Sequence, residues 1–258
     1  MRLTYMLFAD NMPHADDEAF LRDYDPERFP RPSVTVDAVL IASEAGALRT
    51  VVVRRTEPPH RGRWALPGGF LRLEESLDAA AARVLREKAG VREAYLEQLY
   101  TFGAPRRDPR TRVISVAYYG LLAPRRWSSL KLADGARKAA IAVPWAGETG
   151  GPVEVAGDDD KPLALAFDHR EILGTVVKRL RGKLRYAPIA YELLPASFTL
   201  FDLQRVHETI LGSRVNKDSF RRRMLASGEL EPAGAMQEGV GHRPAALYRA
   251  RAEEEHDG

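Results

Sequence analysis

The sequence of 258 residues contains no cysteine. Disulfides and thiolate-held metals are thereby excluded, and a reducing cytosol is permitted without being required. No stretch approaches the ~20 consecutive apolar residues of a membrane span. The first ten residues, MRLTYMLFAD, reach Asp10 before the apolar core of a signal peptide can develop. A soluble, cytoplasmic protein is therefore expected. Internal repeats and low-complexity segments are missing, and so is a strong excess of one charge. Lys and Arg number 39 against 36 Asp and Glu, a net +3 that argues only weakly for a polyanionic partner. The distribution says more, because Arg and Lys crowd residues 178–185 and 214–223 while acidic residues crowd both ends. What the chain does have is apolar material, 45% of its residues, enough to bury the core of one large domain or of a large one with a small one.

Taken in order, residues 10–32 read as a polar, proline-punctuated arm. Ser33–Ala42 and Leu48–Thr56 are rich in Val and Ile and predict a hairpin around Glu44-Ala45-Gly46-Ala47. The run Trp64-Ala65-Leu66-Pro67-Gly68-Gly69-Phe70 leads into a helix from about Ser76 to Ala89, with Leu77, Ala81 and Leu85 at helical spacing and Gly90 as its C-cap. Strands follow at Leu96–Phe102, Val113–Leu122 and Ala139–Trp145, with a hairpin around Asp158-Asp159-Asp160. Asp168 with Glu171 resembles a capping box opening a helix to about Leu184, on which Ile172, Leu173, Val176, Val177 and Leu180 form an apolar stripe. Strands interspersed with two long helices indicate an α/β (α+β) domain over residues 1–187.

Beyond Pro188 short helices take over. Ile189–Leu194 predicts a short helix opened by Pro188, Thr199 caps a second through Leu211, and Asn216 caps a third over Lys217–Ser227. Two extended segments, Leu230–Pro232 and Ala246–Arg249, flank a glycine-rich loop ending Gly241-His242-Arg243-Pro244. Three helices and a two-stranded ribbon are the plan of a winged helix-turn-helix over 188–258. With Phe220 and Met224 packed inward, Lys217, Arg221 and Arg222 are left to face a major groove, and Arg243 sits where a wing residue would. A merely solvated basic helix, or a dimerising module, is the plainer reading of the same residues.

The segment GGFLRLEESLDAAAARVLREKAGV, residues 68–91, resembles a Nudix box. Gly69, Glu75, Arg83, Glu87, Gly90 and Val91 fall on its fixed points, whereas Val84 and Lys88 replace two of its carboxylates. Positions 84, 87 and 88 share one helix face, where carboxylates would hold divalent metals around a pyrophosphate. An ammonium in place of a carboxylate shifts the local charge by about two units, which argues against two-metal hydrolysis. No catalytic residue, bound metal or required cofactor is expected. Magnesium would enter only with a residual hydrolase. A ligand linked by a diphosphate would instead meet Lys88 and the loop arginines Arg106, Arg107, Arg110 and Arg112, whose guanidinium forks suit phosphate oxygens. Phe102, Phe70 and Trp64 are candidates to stack on its base, and Arg54, Arg55 and Arg63 are lesser candidates to hold the ligand. Any one of these arginines can equally be a solvated loop residue, and Phe102 a core aromatic.

The whole chain resembles the NrtR-type Nudix-related transcriptional regulators. FLRDYDPERFPRPSVTVDAVLI at 20–41, LAFDHREIL at 165–173, KLRYAPIAYELLPASFTLFDLQ at 183–204, NKDSFRRRML at 216–225 and GHRPAALYR at 241–249 carry the likeness. It implies an N-terminal Nudix-like α/β/α sandwich with a mixed sheet and a homodimeric regulator of NAD-related genes. Such a regulator binds a palindromic double-stranded operator as a repressor and is released by ADP-ribose or a related nucleotide or sugar metabolite. The alternative is a Nudix hydrolase of ADP-ribose pyrophosphatase type, using Glu75, Glu87 and an acidic residue from elsewhere, with the C-terminal module serving only to dimerise.

Overall fold

The structure is a computed structural model that describes residues 15–92, 94, 96–239, 241 and 243–251. Its contacts divide the chain into two compact units, Met1–Pro32 and Ser33–Gly258. Within the first, the arm carries a helix, α1 (Ala15–Asp23), and the Asp25 carboxylate accepts from the Glu27 amide to start a single 3-10 turn, Pro26–Arg28. Phe20, Leu21, Tyr24 and Phe29 are exposed on this unit.

The second unit is built on a mixed sheet of β1 (Ser33–Glu44), β2 (Ala47–Arg54), β3 (Trp64–Ala65), β4 (Gly68–Phe70), β5 (Glu97–Phe102), β6 (Val113–Leu121), β7 (Ala136–Ala142) and β8 (Glu154–Ala156), running β5-β6-β1-β2-β7-β8. The short strands β3 and β4 pair with β2 and β1. The β1–β6 ladder is parallel, from Ser33 opposite Val113 to Ile41 opposite Leu121, and its neighbours are antiparallel. Strand β1 is buried on both faces, as a continuous Val/Ile/Leu run requires. Its period-2 alternation sends Ala38 and Leu40 to one side, against helix α2 (Leu77–Val84) and Trp127 of helix α3 (Pro124–Ser128). Val39 and Ile41 go to the other, under Ile172, Leu173, Val176, Val177 and Leu180 of helix α4 (His169–Lys183). The result is an α/β/α sandwich.

The C-terminal segment adds helices α5 (Leu200–Leu211) and α6 (Lys217–Ala226) and the ribbon β9 (Leu230–Met236) with β10 (Ala246–Ala250). Phe198 and Tyr248 exchange backbone hydrogen bonds of 2.9 and 2.8 Å, tying the lead-in of α5 to the ribbon. This is a winged helix. Leu203, Ile210, Phe220 and Met224 join the same buried cluster as Val39 and Ile172, so segments on either side of residue 187 share a core.

Four local expectations are corrected. Strand β7 starts at Ala136, not Ala139, because Gly135 at φ +77° launches the chain against β2 before the apolar residues begin. Trp145, beyond the strand, donates its indole N–H to the Gly151 carbonyl. Between Pro188 and Pro195 only the 3-10 turn Tyr191–Leu193 forms, since too few residues separate the prolines to repay helix nucleation. The box helix is α-helical only to Val84 and passes into a π turn, Leu85–Ala89, before Gly90. Asp168 does stand at the N-cap of α4, but its side chain makes no cap hydrogen bond, being held by Arg107.

Candidate functional site

A cleft of about 490 Å³ opens between the box segment and the N-terminal end of α4. One wall is made by β4 against β1, with Gly68 opposite Asp37. Gly68 packs so close to the Asp37 carboxylate and the Val36 carbonyl that there is no room for a Cβ. Ser76 then caps α2 by accepting from the Ala79 amide at 3.2 Å, and α2 delivers Arg83 beneath the turn. Buried Arg83 organises the box: Nε and Nη2 clamp the Glu75 carboxylate at 2.8 and 2.5 Å, Nη2 also reaches the Phe70 carbonyl at 3.0 Å, and Nη1 lies 3.3 Å from Glu87 Oε2. Arg83, followed by the backbone N–H of Arg72, draws the Glu75 carboxyl down to about 2. Lys88 is exposed and lines the cleft, whereas Val84 is fully buried in the core, 3.3 Å below the point where a Cβ on Gly69 would stand.

The box carboxylates do not suit a divalent ion. Both Glu75 oxygens and one Glu87 oxygen accept from Arg83, Arg72 Nη2 lies 3.5 Å from the other Glu87 oxygen, and an ammonium and an isopropyl group stand at the remaining positions. Among the described residues, no three His, Asp or Glu side chains come together as a metal-holding group.

The opposite wall is centred on buried Asp37. Its Oδ2 accepts from Ser115 Oγ at 2.5 Å and lies 3.5 Å from Arg107 Nη2. Arg107, itself buried, grips Asp168 through both branches of its fork at 2.8 and 2.6 Å. Next in sequence, His169 accepts the Leu66 amide on Nδ1 at 2.8 Å and turns Nε2 toward Asp37 Oδ1 at 3.6 Å. Burial lowers its pKa, and the Leu66 bond requires an unprotonated Nδ1, so the ring is neutral with its proton on Nε2. Arg110 is paired with Asp108 at 2.7 and 3.0 Å and lies over both Phe70 and Phe167, at 5.2 and 5.8 Å. Arg55 covers the same Phe167 ring at 4.8 Å, and His60 meets it edge-on at 5.0 Å. Phe167 sits at φ +52°, a left-handed conformation a bulky residue rarely adopts.

Of the six residues read as ligand contacts, Arg107, Arg110 and Lys88 line the cleft. Arg106, Arg112 and Phe102 lie elsewhere. Arg106 is exposed on the loop, Arg112 turns back to the Gly103 carbonyl at 2.7 Å, and Phe102 packs against the core and edge-on to Tyr100. Thr35, Asp37, Asp108, Phe167 and His169 of the cleft were not singled out in that role by the sequence, whereas Arg55 and Phe70, lesser candidates there, also line it. Only LAFDHREIL, which contains Phe167 and His169, carried a usable signal.

In the C-terminal module, Thr199 and Asp202 form a reciprocal capping box at α5, and Asn216 accepts from the Ser219 amide at 3.0 Å to start α6. Phe220 and Met224 are buried, while Lys217, Arg221 and Arg222 are exposed and make no ion pair among the described residues. Arg243 is exposed in the loop between the ribbon strands, and its neighbour His242 lies outside the described residues.

Residues 190–250 match the model of the NrtR DNA-binding winged helix domain, and residues 31–140 that of the NUDIX domain. The ADPR responsive transcriptional repressor NtrR of Acinetobacter baylyi is 35% identical over 237 residues, 91% of this chain and 88% of the relative. The chain belongs to the NrtR family. Among solved structures, Shewanella oneidensis NrtR complexed with a 27mer DNA shares 31% identity over 84% of this chain and 93% of that one, with a TM-score of 0.65. A MutT/nudix family protein from Enterococcus faecalis gives a TM-score of 0.72 at 25% identity, covering 92% and 93%. The two NrtR modules thus coincide with the cleft-bearing sandwich and the winged helix described above.

Proposed function

We propose that this chain is a homodimeric, ligand-responsive repressor that binds a palindromic operator through α6 and the ribbon loop. Its degenerate Nudix cleft takes ADP-ribose or a related nucleotide or sugar metabolite and thereby releases the DNA. The observation that carries this reading is the exposed row Lys217, Arg221 and Arg222, without ion pairs among the described residues, on the capped third helix of a winged helix in a member of the NrtR family. A helix so charged neutralises phosphates and reads guanine edges, and Arg243 on the wing adds a contact from the ribbon side. A dimer places two such helices about one turn of DNA apart. No helix among the described residues is long and apolar enough to cross a membrane, and the cytoplasm is where such a regulator meets its operator.

In this reading the ligand's phosphates face Arg107, Arg110 and Lys88, its base stacks at Phe167 or Phe70, and no metal is needed. Lys88 stands in for part of the missing cation, so Lys88→Glu weakens ligand binding in magnesium-free buffer. Release requires that the ligand favour the DNA-incompetent state, and titrated ADP-ribose must therefore lower operator affinity in a gel-shift assay. The hydrolase alternative has a relative behind it, an ADP-ribose pyrophosphatase of Methanocaldococcus jannaschii 28% identical over 58% of this chain. The box geometry speaks against it. Magnesium-dependent turnover of ADP-ribose at ~1 per second or faster would restore it.

A further inference from the structure

A second cavity, about 760 Å³, lies away from the cleft where the end of α4, the segment 184–191, α5 and α6 meet. Its size is that of a small-ligand site, and the guanidinium groups of Arg181, Arg185 and Arg223 and the imidazole of His207 stand in its walls.

Arg181 is 3% exposed. Its Nε donates to the Ile210 carbonyl at 2.8 Å, and its Nη1 to the carbonyls of Trp145 and Gly147 at 3.1 and 2.7 Å, while the guanidinium lies 4.6 Å over the Trp145 ring. It makes no ion pair among the described residues, and burial alone lowers its pKa. Carbonyl groups satisfy its N–H bonds but do not cancel its charge, and a buried charge is ordinarily paired. His207, 6% exposed, lines the same cavity and makes no side-chain hydrogen bond among the described residues, its ring meeting Phe220 edge-on at 5.0 Å. Burial, and next Arg223, hold its pKa at about 4, so it is neutral near pH 7 and carries one uncommitted N–H. Arg223 also lines the cavity, its guanidinium 5.4 Å over Phe220 and paired with no carboxylate among the described residues. Of the acidic residues of the walls, Glu148 pairs with Arg185 at 3.0 Å and Glu229 accepts from the neutral Tyr191 hydroxyl at 2.8 Å, so three guanidinium groups meet two carboxylates and a positive charge is left over.

We propose that this cavity is a second ligand site, for a phosphate-bearing metabolite of about mononucleotide size. Arg223 and His207 hold the phosphate, Arg181 supplies the uncancelled positive charge behind them, and exposed Tyr186 at the rim offers a ring to a base. The site is distinct from the Nudix cleft and does not depend on what that cleft binds. Because Arg223, Met224 and Ser227 of its wall lie on or at the end of α6, an occupant touches the helix that presents Lys217, Arg221 and Arg222. Any difference it makes to DNA affinity is matched by an equal effect of DNA on its own affinity.

Calorimetric titration of the full chain with AMP, and separately with inorganic phosphate, tests this. The expected result is an AMP site that Arg223→Gln weakens at least about tenfold and His207→Asn weakens in the same direction, while Arg110→Ala retains it; phosphate binds more weakly with the same pattern. Arg223 is exposed, so its variant keeps the wild-type melting curve, and that curve separates lost binding from lost folding. The proposal is overturned by silence of the wild type up to about 10 mM of both probes, well above the millimolar range of the weakest ligands. It is equally overturned if Arg110→Ala abolishes all AMP binding, which would put the anion in the cleft, or if Arg222→Gln does so, which would put it on the helix surface facing outward.

Discussion

The cleft and the surface of α6 are both rich in arginine, but they hold it in opposite states. In the cleft the guanidinium groups are already engaged, since Arg83 clamps Glu75 and Glu87, Arg107 grips Asp168, and Arg110 is closed on Asp108 while lying over Phe70 and Phe167. On α6, Lys217, Arg221 and Arg222 point to solvent without a paired carboxylate among the described residues. A small ligand gains from groups fixed before it arrives, because freezing rotamers at binding would cost affinity. A nucleic acid gains from bare charge, since its binding draws on released counterions and the protein's cations must be free to replace them. Pairing therefore distinguishes a preorganised pocket from a polyanion surface better than a count of basic residues does.

The largest effect that would break this contrast belongs to α6. Arg221→Ala with Arg222→Ala should weaken operator binding by ~100-fold or more and flatten its salt dependence by about two charges per protomer, with ADP-ribose affinity unchanged in the same preparation. Gel shifts indistinguishable from wild type would remove the helix from the interface. In the cleft, Asp168→Asn leaves Arg107 buried beside half a partner and should cost about 3 kcal/mol of stability by urea titration; a variant as stable as wild type would show that the fork is incidental. Phe167→Ala removes the ring shared by Arg55, Arg110 and His60 and should weaken ADP-ribose binding about tenfold. Calorimetry giving equal affinities would move the stacking surface to Phe70.

The smallest effect concerns acid. Glu75 has its folded pKa pulled from 4.5 to about 2, so the stability it contributes is fully present above about pH 4.5 and is lost as pH falls toward 2. Melting temperatures of Glu75→Gln should accordingly fall less steeply than those of wild type between pH 5 and pH 3. Parallel curves would mean that the clamp is absent in solution.

Local chemistry made much of the molecule legible. Ser76, Thr199 and Asn216 announce helix starts, Gly90 and Gly212 announce helix ends, and the burial of β1 on both faces follows from its Val/Ile/Leu run. The cleft was legible only in part, because its centre is assembled over distance. Asp37, Arg107, Asp168 and His169 belong to β1, a loop and the start of α4, and the strand order alone brings them together. Asp168 shows how the local signal misleads. Its spacing to Glu171 is that of a capping box, yet a bidentate guanidinium outcompetes the backbone amides for the carboxylate. Arg107 and Arg112, alike in sequence, separate for the same reason, since one finds a half-buried carboxylate and the other only a carbonyl at the loop's base.

Val84 has a consequence of its own. Its side chain is sealed in the apolar core with Leu85 and Trp127 and crowds the space above Gly69. A glutamate there would bring a carboxylate into an apolar layer beside Leu85 and Trp127, so the position would have to lose its packing before it could offer a ligand. Gly90 at the end of the same segment, at φ +76° with no room for a Cβ, is fixed by geometry alone.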